Sequence, residues 1–180
     1  MKNIFFIFCF FSFFCHSEEY NIYVNKVQEE IDKKINMCLG EIEWPVLNNE
    51  NSIWVNARME SLVDAGLVKS NMKGKSKIWI LSELGKKEFN INGDFCYGKM
   101  MLKEILNISY VDKKRGFIVF NYYIQQLPDW ANNKSIRFAY SYLDNIIAGI
   151  NNESYQVEFE KTSTGIIKII SEPVQVEILY

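Results

Sequence analysis

Apolar residues recur at spacings of three and four through Val24, Val27, Ile31, Ile35 and Cys38, a period that predicts an amphipathic helix entered at Glu18. Glu18 and Glu19 at its start and Lys33 and Lys34 near its end suit the helix dipole. Gly40 is expected to end it, and Trp44-Pro45 marks a break, because proline disfavours helix for the residue before it. A second helix is predicted from Ile53 to Ala65. Ser52 is its expected N-cap, Val55, Met59, Leu62 and Val63 its buried stripe, and Gly66 sits where a C-terminal cap belongs. Leu67 and Val68 then open a strand, the loop KGKSK leads to a second strand from Ile78 to Leu81, and Ser82 with Glu83 opens a short helix through Phe89.

From Met100 the period changes to two. Met100, Leu102, Leu106, Ile108 and Tyr110 share one face; after the turn DKKRG, Ile118, Phe120, Tyr122 and Ile124 repeat the pattern until Leu127-Pro128-Asp129-Trp130 ends it. Ser135 is expected to cap one helix with Ile136, Tyr140, Leu143, Ile147 and Ile150 on a single stripe. Tyr155, Val157 and Phe159 point one way and Gln156, Glu158 and Glu160 the other. They form the first strand of a hairpin that turns at Lys161 to Gly165, returns from Ile166 to Ile170 and is followed by a last strand around Val174, Val176 and Ile178. The pattern predicts an α+β protein: a helix-and-hairpin half, then an antiparallel sheet in the order β-β-α-β-β with one covering helix.

The N-terminus changes where this protein is expected to work. Lys2 precedes an apolar run from Ile4 to Phe14, broken only by Ser12. That run is too short for a membrane span, which needs about 20 residues, and fits the core of a secretion signal. Cleavage is expected after Ser17, with a lipid on Cys15 as the alternative, although bulky Phe14 disfavours that. The organisation expected is therefore a signal peptide at 1–17, a first domain at 18–95 and a second at 96–180, located in the periplasm or secreted, with no stable membrane span after cleavage. The formal charge of the whole chain is −2, and losing Lys2 makes the remainder more acidic, so no global footprint for nucleic acid exists.

Export also fixes the meaning of the cysteines. Signal removal leaves Cys38 and Cys96, and two thiols in an oxidising compartment are expected to pair, the alternative being two separately buried thiols. Closing a loop of this length would stabilise the fold by roughly 4 kcal/mol in the chain-entropy model. His16 is the single histidine and leaves with the signal. Without histidine there is no Ser-His-Asp or Cys-His arrangement, no HExxH zinc site and no His-ligated metal, while two cysteines fall short of the four thiolates of an all-cysteine zinc site. No enzyme activity, cofactor or metal is expected.

The stretch MESLVDAGLV followed by KIWILSELGKKEF resembles the core of bacterial winged helix-turn-helix regulators, over about residues 20–90. The resemblance implies that the helix before the hairpin is the one that reads the DNA major groove in DNA-binding members. Here that helix offers Trp54, Asn56, Arg58, Glu60, Ser61 and Asp64, a poor face for phosphates. The wing adds Lys73, Lys75 and Lys77, which with Arg58 are the DNA-contacting residues only under a regulator reading in which the N-terminal segment is retained. The segments CLGEIEWP, LVDAGLV, DFCYGK and LPDWA also resemble a group of small secreted bacterial proteins of uncharacterised function, which implies export.

Two aromatic positions in loops beside prolines, Trp44 and Trp130, are the expected surface for an envelope protein or peptide partner, whereas Trp79 in the wing strand is expected in the core. Glu41 and Glu43 beside Trp44, and Asp129 beside Trp130 with Arg137 further on, are the only acid-aromatic groupings that would suit sugar hydrolysis. That chemistry needs two carboxyls about 5–9.5 Å apart, and solvated loops explain these residues more simply. The expectation is an exported, non-enzymatic envelope protein whose winged-helix-like part is an interaction or structural module, with a winged-helix DNA-binding regulator as the alternative.

Overall fold

The computed structural model describes residues 12–48 and 53–176. Most of the expected leader, the expected cap Ser52 and the end of the last expected strand lie outside the described residues. In chain order the elements are α1 (Ser12–Lys34), β1 (Val46–Leu47), α2 (Ile53–Asp64), β2 (Val68–Lys73), β3 (Ser76–Leu81), α3 (Glu83–Asn92), β4 (Lys99–Tyr110), β5 (Arg115–Gln125), α4 (Lys134–Ala139), α5 (Ser141–Ala148), β6 (Tyr155–Lys161), β7 (Ile167–Ile169) and β8 (Val174–Gln175). A 3-10 turn, Asp129–Asn132, precedes α4. The fold is α+β with antiparallel sheets. No helix among the described residues is long and apolar enough to cross a membrane.

The chain packs into two compact units, each assembled from separated segments on both sides of residue 95. The first takes the chain through Ile35, Met101–Tyr123 and the chain from Glu153 onward; the second takes Asn36–Met100 and Ile124–Asn152.

In the first unit, two-residue alternation becomes a sheet in the order β4-β5-β6-β7, with β8 also paired to β6. Ile118, Phe120 and Tyr122 of β5 are buried, as are Val157 and Phe159 of β6, and Ile118 lies opposite Val157. Gly116 lies opposite Phe159, and a Cβ there would collide with that ring and with the Ser109 carbonyl oxygen, so the position requires glycine. The helix that packs here is α1, which buries Tyr23, Val27 and Ile31 at a spacing of four. Tyr23 and Tyr110 both meet Phe159 edge-on, at 5.4 and 5.3 Å between centroids, and their hydroxyls bond to each other at 2.7 Å. Burial, then the Tyr110 bond, pushes the Tyr23 hydroxyl well above the usual tyrosine range.

The expected course of α1 needs correction at its end. The helix stops at Lys34, six residues before Gly40, and Cys38 is not on its stripe. The Asn36 side-chain oxygen accepts from the Cys38 amide at 3.1 Å, the local turn with which asparagine competes against helix. Likewise the single helix expected after Ser135 is two helices, α4 and α5, divided at Tyr140, whose backbone leaves helical geometry. Asn133, not Ser135, is the cap: its oxygen accepts from the Ser135 and Ile136 amides. This segment belongs to the second unit, so the cover of the five-stranded sheet is α1.

Over residues 53–92 the second unit follows its sequence signals. Strands β1, β3 and β2 form an antiparallel sheet in that order. Gly66 takes positive φ just past α2, where the Gly66 and Leu67 amides return to the carbonyls of Val63 and Leu62. Ser82 caps α3 as expected, accepting from the Gly85 amide at 2.9 Å while donating to the Gly66 carbonyl at 2.6 Å. Trp79 is fully buried, as expected for the wing strand. Around Phe95 the rings of Trp44, Phe89 and Trp130 all make edge-on contacts at about 6 Å.

Candidate functional site

Cys38 and Cys96 form the expected disulfide. They face each other across a short antiparallel bridge, flanked by bonds from the Leu39 amide to the Phe95 carbonyl and from the Tyr97 amide to the Met37 carbonyl. Next to this bridge, the buried Asp94 carboxylate accepts from three amides: Phe95 at 2.7 Å, Gly40 at 2.8 Å and Glu41 at 3.1 Å. These three bonds fix the loop after Met37 against the segment that carries Cys96. The Glu41 side chain consequently lies inward and is only 10% exposed.

One oxygen of Glu41 accepts from the Tyr140 hydroxyl at 3.0 Å and lies 3.1 Å from a terminal nitrogen of Arg58 on α2. Burial raises the Glu41 carboxyl above the usual range, against the opposing pull of Arg58 and Tyr140. Burial, followed by the Glu41 charge, drives the Tyr140 hydroxyl far up. The Arg58 Nε is buried without a partner. A cavity of about 240 Å³ adjoins the network, lined by Arg58, Tyr97, Tyr140 and Tyr142 together with Cys38. Chemically this is one available carboxyl held by an arginine and a tyrosine, since the oxygens of Asp94 are occupied by backbone amides. The network ties the α4–α5 junction to the loop after Met37 and to α2.

The other acid-aromatic candidates stand in different surroundings. Glu43 and Asp129 are exposed, and Arg137 pairs with Asp144 at 2.5 Å. Trp130 is only 7% exposed, with its Nε1 pointed at Glu88 at 3.4 Å, so it offers almost no surface to a partner. Trp44 is half-buried, its Nε1 donating to the Glu41 carbonyl. Of the basic residues, Arg58 is engaged by Glu41, and Lys77 pairs with Glu60 at 2.6 Å while lying 5.6 Å over the Trp79 ring. Glu60 also accepts from the Trp79 Nε1 at 2.7 Å. Lys73 and Lys75 are exposed on the β2–β3 hairpin.

The accessible aromatic surface is elsewhere, on α2 and α4. These helices pack against each other, with Asp64 accepting from the Ser135 hydroxyl at 2.8 Å. Between them runs an open groove of about 330 Å³, lined by the small side chains Ala57, Ser61 and Ala139 and by Glu60, Lys134 and Phe138. Phe138 is 92% exposed; Trp54 and Ile53, one turn before Ala57 on α2, are each 81% exposed. These are the three most exposed large apolar side chains among the described residues. The sequence carried a signal for them: Trp54 lies off the Met59–Leu62 stripe and Phe138 lies midway between Ile136 and Tyr140, so both are aromatics on the polar side of a helix. Comparison with known protein families, curated proteins and solved structures finds no match.

Proposed function

We propose that this chain is an exported, non-enzymatic α+β protein of the bacterial envelope that engages a protein partner through the outer faces of α2 and α4. The observation that carries this is the exposure of Phe138 on the groove and of Ile53 and Trp54 one turn before the groove residue Ala57 on α2. Isolated surface hydrophobes need no explanation, but a grouped aromatic patch is characteristic of interaction sites. In a DNA-binding winged helix the corresponding helix would offer cations to phosphates. Here Arg58 and Lys77 are both held by glutamates, and α4 flanks α2. Export is supported by the apolar run behind Lys2 and by the compatibility of a Cys38–Cys96 disulfide with an oxidising compartment.

Two measurements test it. An alkaline phosphatase fusion joined after residue 30 should be active, and an inactive cytoplasmic fusion would refute export. A photo-crosslinking amino acid at Trp54 in living cells should give a discrete protein adduct; no adduct of any kind would refute the interaction surface. The regulator alternative instead expects salt-dependent retardation of DNA by the purified chain, through Lys73 and Lys75.

A further inference from the structure

The α2–α4 face carries both halves of a complementary contact. Phe138 projects from α4 with almost its whole side chain in solvent, and the groove beside it is lined by the small side chains of Ala57, Ser61 and Ala139. Charge is divided in the same way. The groove margin on α2 carries Asp64, which accepts from the Ser135 hydroxyl, and Glu60, which already pairs with Lys77; the margin on α4 carries Lys134, which is exposed. A knob beside a hole, and an acid edge opposite a basic edge, is the arrangement an isologous contact requires: in a two-fold pair, residue i meets j and j meets i.

We propose, as an inference that rests on the protein-binding role of this face, that its partner is a second copy of this chain in a two-fold dimer. α2 of one copy lies against α4 of the other. Each Phe138 enters the partner's groove over the small side chains, Trp54 and Ile53 close the apolar contact at its margin, and each Lys134 meets the opposing acidic edge. A heterologous partner would have to supply both an aromatic knob and a recess of its own, whereas a second copy brings both already placed. Burying aromatic side chains at the centre of a contact, with charges at the rim, is also how association energy is usually distributed.

Sedimentation velocity of the full chain lacking only the N-terminal apolar segment, over a wide concentration range, tests this. The expected result is a reversible monomer–dimer equilibrium. Phe138→Ser and Trp54→Ser, on different helices, should each weaken the dimer by about tenfold or more, and Lys134→Glu by a smaller factor that shrinks with added salt. All three side chains are exposed, so melting of the monomer should be unchanged; if one substitution impairs folding, the one on the other helix decides. A monomer at every concentration, or a dimer that neither aromatic substitution weakens, overturns the inference. The Trp54 cross-link separates this from the broader reading. An adduct to the chain itself supports both, an adduct only to a different protein with a monomeric pure chain overturns self-association alone, and no adduct overturns both.

Discussion

The two units of this protein keep their shape by different means. The sheet unit has no covalent tie among its described residues. Its order comes from alternation, which puts Ile118, Phe120, Tyr122, Val157 and Phe159 on one face beneath Tyr23, Val27 and Ile31. The helix-and-hairpin unit adds individual polar and covalent anchors to a buried core around Trp79 and Phe95: the Cys38–Cys96 bond, the three amides held by Asp94, the Ser82 cap and the Glu41–Arg58–Tyr140 network. Both units leave large apolar side chains exposed, but the three most exposed among the described residues, Phe138, Trp54 and Ile53, belong to this one. A unit fixed at a few points can leave an aromatic side chain exposed without losing its fold, and the exposed aromatic patch is found in that unit.

The largest effect is expected from Phe159→Ala. The ring touches Tyr23 and Tyr110 and faces Gly116, so its removal should cost about 3–5 kcal/mol in chemical denaturation. Hydrogen exchange should rise first in β5 and β6. Next in size is the double substitution Cys38→Ser, Cys96→Ser, expected to lower stability by about 2–4 kcal/mol, with faster exchange concentrated between residues 36 and 100. Equal acceleration in β6 would show that the units do not differ in the way described.

Asp94→Asn should cost about 1–2 kcal/mol by the same denaturation, because a neutral amide offers one acceptor oxygen where the carboxylate serves three amides. The smallest effect concerns pH. Burial raises the Glu41 carboxyl in the folded state, so the folded chain holds this proton more tightly than the unfolded one. That contribution is fully present below the ordinary glutamate range and is lost as pH rises to the raised folded value. Glu41→Gln, which preserves an acceptor for Tyr140, should flatten this decline in a plot of Tm against pH. An unchanged slope would remove Glu41 as its source.

Local signals were legible where local chemistry decides the outcome. Ser82, Gly66, the β2–β3 hairpin and the Tyr155–Phe159 alternation all behave as their residue types require, since a cap, a positive φ and a pleat are settled within a few residues. The pairing of Cys38 with Cys96 was legible from the cysteine count and the expectation of export. What could not be read depends on distant partners. Trp130 beside a proline looks available until Phe95 and Glu88 enclose it, and Tyr140 looks like one more stripe residue until Glu41 receives its hydroxyl. The apolar period runs past the end of α1 because Asn36, a small polar residue, outweighs it.

The chain leaves the sheet unit after Ile35 and re-enters it at Met101, and everything between is an excursion into the other unit. Cys38 and Cys96 lie just inside its two ends, so the cystine fastens the neck of that loop. Along covalent bonds, α1 and β4 are then only a handful of residues apart, however long the excursion is. The entropy of bringing these two segments of the sheet unit together becomes independent of loop length. A peptide bond cut within residues 49–52 would leave both fragments attached, with the route from α1 to β4 intact.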